Sequence, residues 1–132
     1  MGKVRKVLIV DDDEICTMIS KKILTLTNRH LDINTCVNGK EAINYLAHKM
    51  SRIFELPDII LLDINMPIMN GWEFIETYKK LLPNLKKRPF VWMLSSTMWP
   101  EELERVKACS VLSGFISKPL RCENVLELLN FN

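Results

Sequence analysis

This chain of 132 residues lacks the usual marks of membrane, secreted and nucleic-acid-binding proteins. Its first apolar run covers only residues 7–10 and ends in three aspartates. Such a run is too short for a membrane span or a signal-peptide core. The formal net charge is only +2, and the basic residues fall in short, separate clusters. We therefore expect neither nucleic acid nor a membrane as a partner.

The cysteines and histidines lack the spacing of a zinc site or of a triad hydrolase. The four cysteines form no C-x-x-C pair, and neither histidine lies near a cysteine or near a G-x-S-x-G motif. Scattered cysteines without a secretory signal are typical of a reducing compartment, so the sequence predicts a cytoplasmic protein. No linker or repeat is visible, and we expect a single domain over residues 1–132 without an output domain.

Short apolar runs alternate with longer amphipathic stretches along the chain. The runs predict five strands, at residues 6–10, 32–37, 58–62, 90–94 and 114–117. Helices are predicted at residues 40–48, 100–109 and 123–129. Two further helices follow from apolar residues at helical spacing, which are Ile15, Met18, Ile19, Ile23 and Leu26, and then Ile75, Tyr78 and Leu82. Five β-α units with nearly continuous apolar strands predict an α/β fold with a parallel, doubly wound sheet.

Charged residues follow three of the predicted strands. The first strand runs into Asp11, Asp12 and Asp13, the third into Asp63, and the fifth into Lys118. The carboxyl ends of parallel strands form the edge at which open α/β sheets bind ligands. Carboxylates held together repel one another, and a hard divalent cation such as Mg²⁺ relieves that repulsion while also binding phosphate oxygens. The sequence therefore predicts a site for a metal ion and a phosphoryl group, with a carboxylate nucleophile and a lysine counter-charge.

These motifs resemble the receiver domain of two-component response regulators, and the resemblance runs over essentially the whole chain. It rests on five elements that occur in order: Asp11 and Asp12 after the first strand, Asp63-Ile-Asn-Met-Pro with Gly71, Ser95 after the fourth strand, Phe115, and Lys118-Pro119. The resemblance implies the flavodoxin-like strand order 2-1-3-4-5 and a stand-alone receiver similar to the chemotaxis regulators.

The resemblance also implies how the acidic residues act. Asp63 would accept a phosphoryl group from a phosphohistidine, on either a histidine kinase or a histidine phosphotransfer protein. Asp12 would bind Mg²⁺ or Mn²⁺ directly and Asp11 would do so through water, while Asp63 and the backbone carbonyl of Asn65 would complete the metal site. The expected function is a phosphorylation-operated switch and not a turnover enzyme.

The remaining residues of the resemblance would bind the phosphoryl group and pass the signal on. Lys118 and Ser95 would each contact a phosphoryl oxygen, and Pro119 would place the lysine through a cis peptide bond. Ser95 and Phe115 would form the switch, and the surface of the fourth helix, fifth strand and fifth helix would then contact an output protein that the sequence does not identify. The sequence is compatible with a monomer or a weak dimer.

Several positions depart from the commonest receiver pattern. Asn70 stands where Asp is frequent, Ser95 replaces Thr, and Phe115 has no hydroxyl to move between partners. The stretch at residues 108–114 is about one residue longer than short αβ loops require. Asn65 and Thr97 lie where the resemblance implies tuning of the phosphoryl lifetime.

Simpler interpretations exist for some of these residues. Asp13 suits a helix N-cap better than a metal ligand, and Ser96 is an alternative to Ser95. Trp72 and Trp92 are expected to pack in the core, whereas Trp99 is either an exposed partner contact or a packed loop residue.

Two other functions also stay open. The first is a phosphohydrolase that uses Asp11 as its nucleophile. The second is a degenerate receiver that only binds a partner.

Overall fold

The structure, a computed structural model, describes residues 4–96 and 99–129; Thr97 therefore lies outside the described residues. Five strands alternate with five helices, and a short 3₁₀ turn lies at Leu82–Asn84. The strands are β1 (Lys6–Val10), β2 (Asp32–Cys36), β3 (Ile59–Asp63), β4 (Phe90–Ser95) and β5 (Leu112–Ser117). The helices are α1 (Glu14–Thr27), α2 (Gly39–Lys49), α3 (Gly71–Leu81), α4 (Pro100–Ala108) and α5 (Cys122–Leu129). Across the described ranges, no helix combines the length and apolar character needed to span a membrane.

The strands form one parallel sheet in the order β2-β1-β3-β4-β5. This order confirms the predicted doubly wound, flavodoxin-like fold. β3 is buried along its whole length and β1 at its last four positions, since each lies between two strands and is covered on both faces. Alternate residues enter two apolar clusters, with Leu8 and Val10 on one face of the sheet and Val7 and Ile9 on the other.

The boundaries of three strands differ from the prediction at the carboxyl edge of the sheet, and the first of these is β4, which extends by one residue to include Ser95. β3 begins at Ile59 and includes Asp63, so the Asp63 carboxylate belongs to the strand itself. β2 ends at Cys36, and the next backbone N–H, that of Val37, donates to the Glu41 side chain at 3.2 Å. The backbone of Asp63 is thus part of the sheet and pairs with Leu94 of β4.

β5 accommodates the additional residue that the sequence shows between positions 108 and 114. It starts at Leu112, and its pairing with β4 shifts so that Val91 faces Leu112 while Trp92 faces Gly114. Ser113 is therefore the extra residue of a β-bulge. Glycine suits position 114, because a Cβ there would lie 2.8 Å from a ring carbon of Trp92 and the ring would have to move.

The apolar spacing of residues 15–26 correctly predicted α1, but most of those residues face solvent. Leu24 and Ser20 are buried and define the side of the helix that packs inward. The exposed fractions of the outer residues run from 39% to 68%. These residues form what we call the α1 stripe: Ile15, Met18, Ile19 and Leu26. No described part of the chain covers this stripe.

Asp58 connects the beginnings of several strands, and its removal is predicted to destabilise the fold. Its carboxylate accepts the backbone N–H groups of Arg5 at 2.8 Å and Lys6 at 2.9 Å, and it pairs with the Lys87 ammonium at 2.9 Å. Asp58→Ala leaves these donors without their acceptor, so we expect the free energy of unfolding to fall by about 1–3 kcal/mol in urea titrations. Asp58→Asn keeps one acceptor oxygen and should lose less; equal losses would contradict this assignment.

The same contact has a predictable pH dependence. Burial opposes ionisation of Asp58, but Lys87 and the two backbone N–H groups outweigh it and hold the pKa of the carboxyl below its usual value. Because the folded-state pKa is lowered, the stabilisation is present at neutral pH and is lost as the pH falls through the lowered value. Wild type and Asp58→Ala should therefore approach each other in stability at acid pH.

Candidate functional site

The carboxyl ends of four strands bring the predicted site residues to one edge of the sheet. Asp11 follows β1, Asp63 ends β3, Ser95 ends β4, and Lys118 follows β5. Because β1 and β4 flank β3, Asp63 stands in the middle of this group. The side chains of Asp11, Asp63 and Ser95 are buried, so the site is a recess at the end of the core.

The Lys118 ammonium lies between two of the carboxylates. Its Nζ is 2.9 Å from Oδ2 of Asp11 and 3.2 Å from Oδ1 of Asp63. The Lys118 backbone N–H also donates to the Ser95 carbonyl at 2.9 Å, which fixes the start of the loop after β5. The Lys118–Pro119 peptide bond is cis. A positive charge is thus held in the recess by both the backbone and the side chain of one residue.

Three carboxylates in this recess have the donor set of a divalent metal site. One oxygen from each of Asp11, Asp12 and Asp63 lies within 4.8 Å of the other two. Asp12 is exposed, whereas Asp11 and Asp63 are buried, so the group opens to solvent on one side. Carboxylate oxygens arranged with an open side suit Mg²⁺, which keeps water and phosphate oxygens among its ligands.

Burial dominates the electrostatics of Asp63. It raises the pKa of this carboxyl to about 6; the neighbouring Asp11 acts in the same direction and Lys118 opposes it. Burial also disfavours the charged form of Lys118, but Asp11 and Asp63 outweigh that effect and raise the pKa of the ammonium. Lys118 is therefore charged at neutral pH, whereas the ionised form of Asp63 is disfavoured by its burial.

The loop after β3 is held against Asp63 by close backbone contacts. The Gly71 N–H donates to the Ile64 carbonyl at 2.8 Å, and a Cβ on Gly71 would lie 2.5 Å from the Asp63 carbonyl oxygen. Asn70 caps α3 in a capping box with Glu73, which explains why Asn serves at this position. The beginning of α3 is therefore held close to the backbone of Asp63 and Ile64.

The middle of this loop contains a strained turn. The Met69 N–H donates to the Pro67 carbonyl at 2.7 Å, and Ile68 between them has a φ of 69°. This is a γ-turn of the rarer, strained kind, occupied by a β-branched residue. Asn65 precedes the turn and is exposed; its carbonyl as a metal ligand stays a prediction.

The structure also places the residues with competing interpretations. Asp13 accepts the backbone N–H groups of Ile15 and Cys16 at 3.0 and 3.1 Å and is the N-cap of α1, as predicted. Ser95 is buried and Ser96 is exposed, which favours Ser95 as the inward hydroxyl. Phe115 is partly buried and packs against the core cluster that contains Leu8 and Val10.

The three tryptophans differ in burial, and two of them pack in the core as the sequence predicted. Trp92 is buried and Trp72 packs against the core cluster, as expected. Trp99 is 67% exposed. Of its two interpretations, the exposed residue is therefore favoured over the packed loop residue. Sequence reasoning missed the contact between Trp72 and Arg105, whose guanidinium carbon lies 4.1 Å from the ring centroid, because no local pattern links two separate helices.

The fold and this site define a receiver. The family model of the response regulator receiver domain matches residues 7–130, and the chain belongs to this family. Receiver domains are signalling domains that bind Mg²⁺ at an acidic pocket and act with histidine kinases and downstream effectors.

Individual relatives agree with the family. The chain is 35% identical to the chemotaxis protein CheY of Thermotoga maritima, over 98% of this chain and 97% of that protein. It is 36% identical to a protein-glutamate methylesterase/protein-glutamine glutaminase of Archaeoglobus fulgidus, over 86% of this chain but only 30% of that protein. A two component response regulator from Cytophaga hutchinsonii has a TM-score of 0.88 at 33% identity, covering 98% of this chain and 96% of that chain. For Vibrio cholerae CheY4 the TM-score is 0.71 at 31% identity, and the match covers 96% of both chains.

Asp63→Asn is predicted to stabilise the metal-free protein at neutral pH. Because the folded-state pKa of Asp63 is raised to about 6, the folded protein binds the proton more tightly than the unfolded chain does, and stability falls as the pH rises from about 4 through this value. Asn avoids ionisation in the recess, so we expect a gain of about 1–3 kcal/mol near pH 7.5 in EDTA. Thermal unfolding measures the gain, which should vanish near pH 3.5; an undiminished gain there would contradict the assigned cause.

Proposed function

We propose that this receiver accepts a phosphoryl group on Asp63 from a phosphohistidine and signals by a conformational switch. The observation that supports this most directly is the position of Asp63 at the buried end of the central strand, close to oxygens of Asp11 and Asp12 and 3.2 Å from the Lys118 ammonium. The full-length match to a chemotaxis protein supports action through protein contact or phosphorelay. The free cysteines at all four positions are compatible with the cytoplasm.

The transfer itself exchanges one bond for another. An oxygen of Asp63 forms a bond to phosphorus while the phosphorus–nitrogen bond of the donor breaks, and the imidazole nitrogen keeps the bonding electron pair. Lys118, now 3.2 Å from Asp63, would neutralise charge on the transferring oxygens, and the Ser95 hydroxyl would donate to one of them. Mg²⁺, when bound by Asp11, Asp12, Asp63 and the Asn65 carbonyl, would supply further charge neutralisation.

The surface beside the site fits a helical phosphodonor. Met18 of the α1 stripe lines a groove of about 360 Å³ together with Asp11 and Val37, and Val37 is itself half exposed at 49%. An exposed apolar row on a helix is typical of a surface that pairs with another helix. A histidine kinase or histidine phosphotransfer protein that lays a helix on this stripe would bring its imidazole to the recess.

The switch residues Ser95 and Phe115 would pass the signal to the surface that contacts an output protein. Phosphorylation would draw the Ser95 hydroxyl toward the new phosphoryl oxygens and shift Phe115 toward a more deeply packed population. The surface of α4, β5 and α5 would then change its affinity for an output protein, by no more than the difference in stabilisation of the two states.

Phosphorylation at Asp63 can be tested with a small donor. Acetyl phosphate and Mg²⁺ should give one acid-stable, base-labile aspartyl phosphate in wild type and none in Asp63→Asn, as read by intact mass. Lys118→Met removes the counter-charge and should slow labelling by about 10²-fold or more. Labelling of Asp63→Asn at the wild-type rate would contradict the proposal, and an unlabelled wild type would favour a receiver that only binds its partner.

The donor surface can be tested separately from the chemistry. Met18→Glu places a charge on the α1 stripe and should slow transfer from a phosphorylated histidine kinase or phosphotransfer protein by about tenfold or more, while labelling by acetyl phosphate stays unchanged. Phe54→Glu is the matched control, since Phe54 is 91% exposed on the loop that precedes β3, at the opposite edge of the sheet. An equal loss in both variants would show that the stripe has no special role.

A further inference from the structure

α4 is attached to the rest of the protein by few buried side chains. Val106 is the single buried residue of this helix. Its N-cap residue, Trp99, makes no side-chain capping hydrogen bond. A helix held by so little burial changes position at low energetic cost, so each of its remaining contacts matters.

One of these contacts joins α4 to α3. The guanidinium carbon of Arg105 lies 4.1 Å from the centroid of the Trp72 ring, a distance at which a cation is attracted to the π face. The Trp72 Nε1 is buried and has no hydrogen-bond acceptor among the described residues. The ring is therefore held by packing and by Arg105 and is not fixed by a hydrogen bond of its own.

Trp72 is also connected to the phosphoacceptor Asp63 through its neighbour in the chain, Gly71. It is the second residue of α3 and follows Gly71, which touches the Asp63 carbonyl so closely that a Cβ would lie 2.5 Å from that oxygen. The Gly71 N–H also donates to the Ile64 carbonyl. A shift in the backbone at Asp63 therefore moves the beginning of α3, and the Trp72 ring moves with it.

We propose that Trp72 and Arg105 form a clamp that holds α4 in its unphosphorylated position, and that phosphorylation of Asp63 loosens this clamp. The inference rests on the proposed function and adds a second connection between Asp63 and α4, which uses neither Ser95 nor Phe115. A modification shifts an equilibrium only through its different interaction with the two states, so phosphorylation can loosen the clamp only if the contact between ring and guanidinium is weaker in the phosphorylated state.

Arg105→Met tests the clamp, because it removes the charge and keeps an aliphatic chain. We expect amide exchange in α4 to become about two- to fivefold faster without any ligand, as the loss of an exposed cation–π contact predicts. Beryllofluoride with Mg²⁺ should bind tighter by a similar factor, since less free energy is needed to release α4. Lys107→Met is the matched control: it removes a cation that is also exposed on the same helix and that has no cation–π contact with the Trp72 ring.

A second background makes the test specific to the pair. In the Trp72→Leu background, Arg105→Met should change neither the exchange rates nor the binding any further. Trp72→Phe keeps a ring, so in that background Arg105→Met should retain part of its effect. Equal effects of Arg105→Met and Lys107→Met, or a full effect of Arg105→Met in Trp72→Leu, would overturn the clamp. Wild type that binds beryllofluoride while Asp63→Asn does not would still support the phosphoacceptor function. If wild type binds none, that function fails, and the ligand-free exchange rates still decide the clamp.

Discussion

The arrangement of this site depends on the Lys118 ammonium lying between the Asp11 and Asp63 carboxylates. Without a cation, the two buried acids would repel, and one of them would take up a proton. Lysine reaches this position because β5 delivers it and because its own backbone N–H is bound to the Ser95 carbonyl. The register of β5 is therefore as important to the site as the acids themselves. The bulge at Ser113 takes up the extra residue of this segment, so that the rest of β5 stays in register with β4.

The recess also shows how function opposes stability in a small domain. Ionised Asp63 sits at the end of a strand that is otherwise wholly apolar, and its raised pKa expresses the free energy that this burial costs. At the other end of the same strand, Asp58 is a carboxylate whose three contacts lower its pKa. The two aspartates that bracket β3 thus have opposite effects on folding, and only the destabilising one stands in the recess.

Much of this fold and site could be predicted from local sequence, because the signals were local. Buried strands are short apolar runs, and Asp11, Asp63 and Lys118 each directly follow or end one of them, so strand order alone brings them together. Helical spacing predicted α1 but not its exposure, since periodicity shows that residues share a face and does not show what covers it. The contacts of Asp58 with Arg5 and of Trp72 with Arg105 join distant segments, and no pattern along the chain reports them. The roles of Asn65, Ser95 and Phe115 rest on family resemblance and on their positions.

The bulge in β5 has a further consequence for how this chain can vary. Gly114 has no side chain, which leaves room for the indole of Trp92 on the neighbouring strand. The two positions share one fixed volume, so a larger residue at 114 is compatible with the fold only if a smaller one stands at 92. Among homologues that retain the bulge, these two sites should evolve as a couple, and the tryptophan should disappear wherever the glycine does.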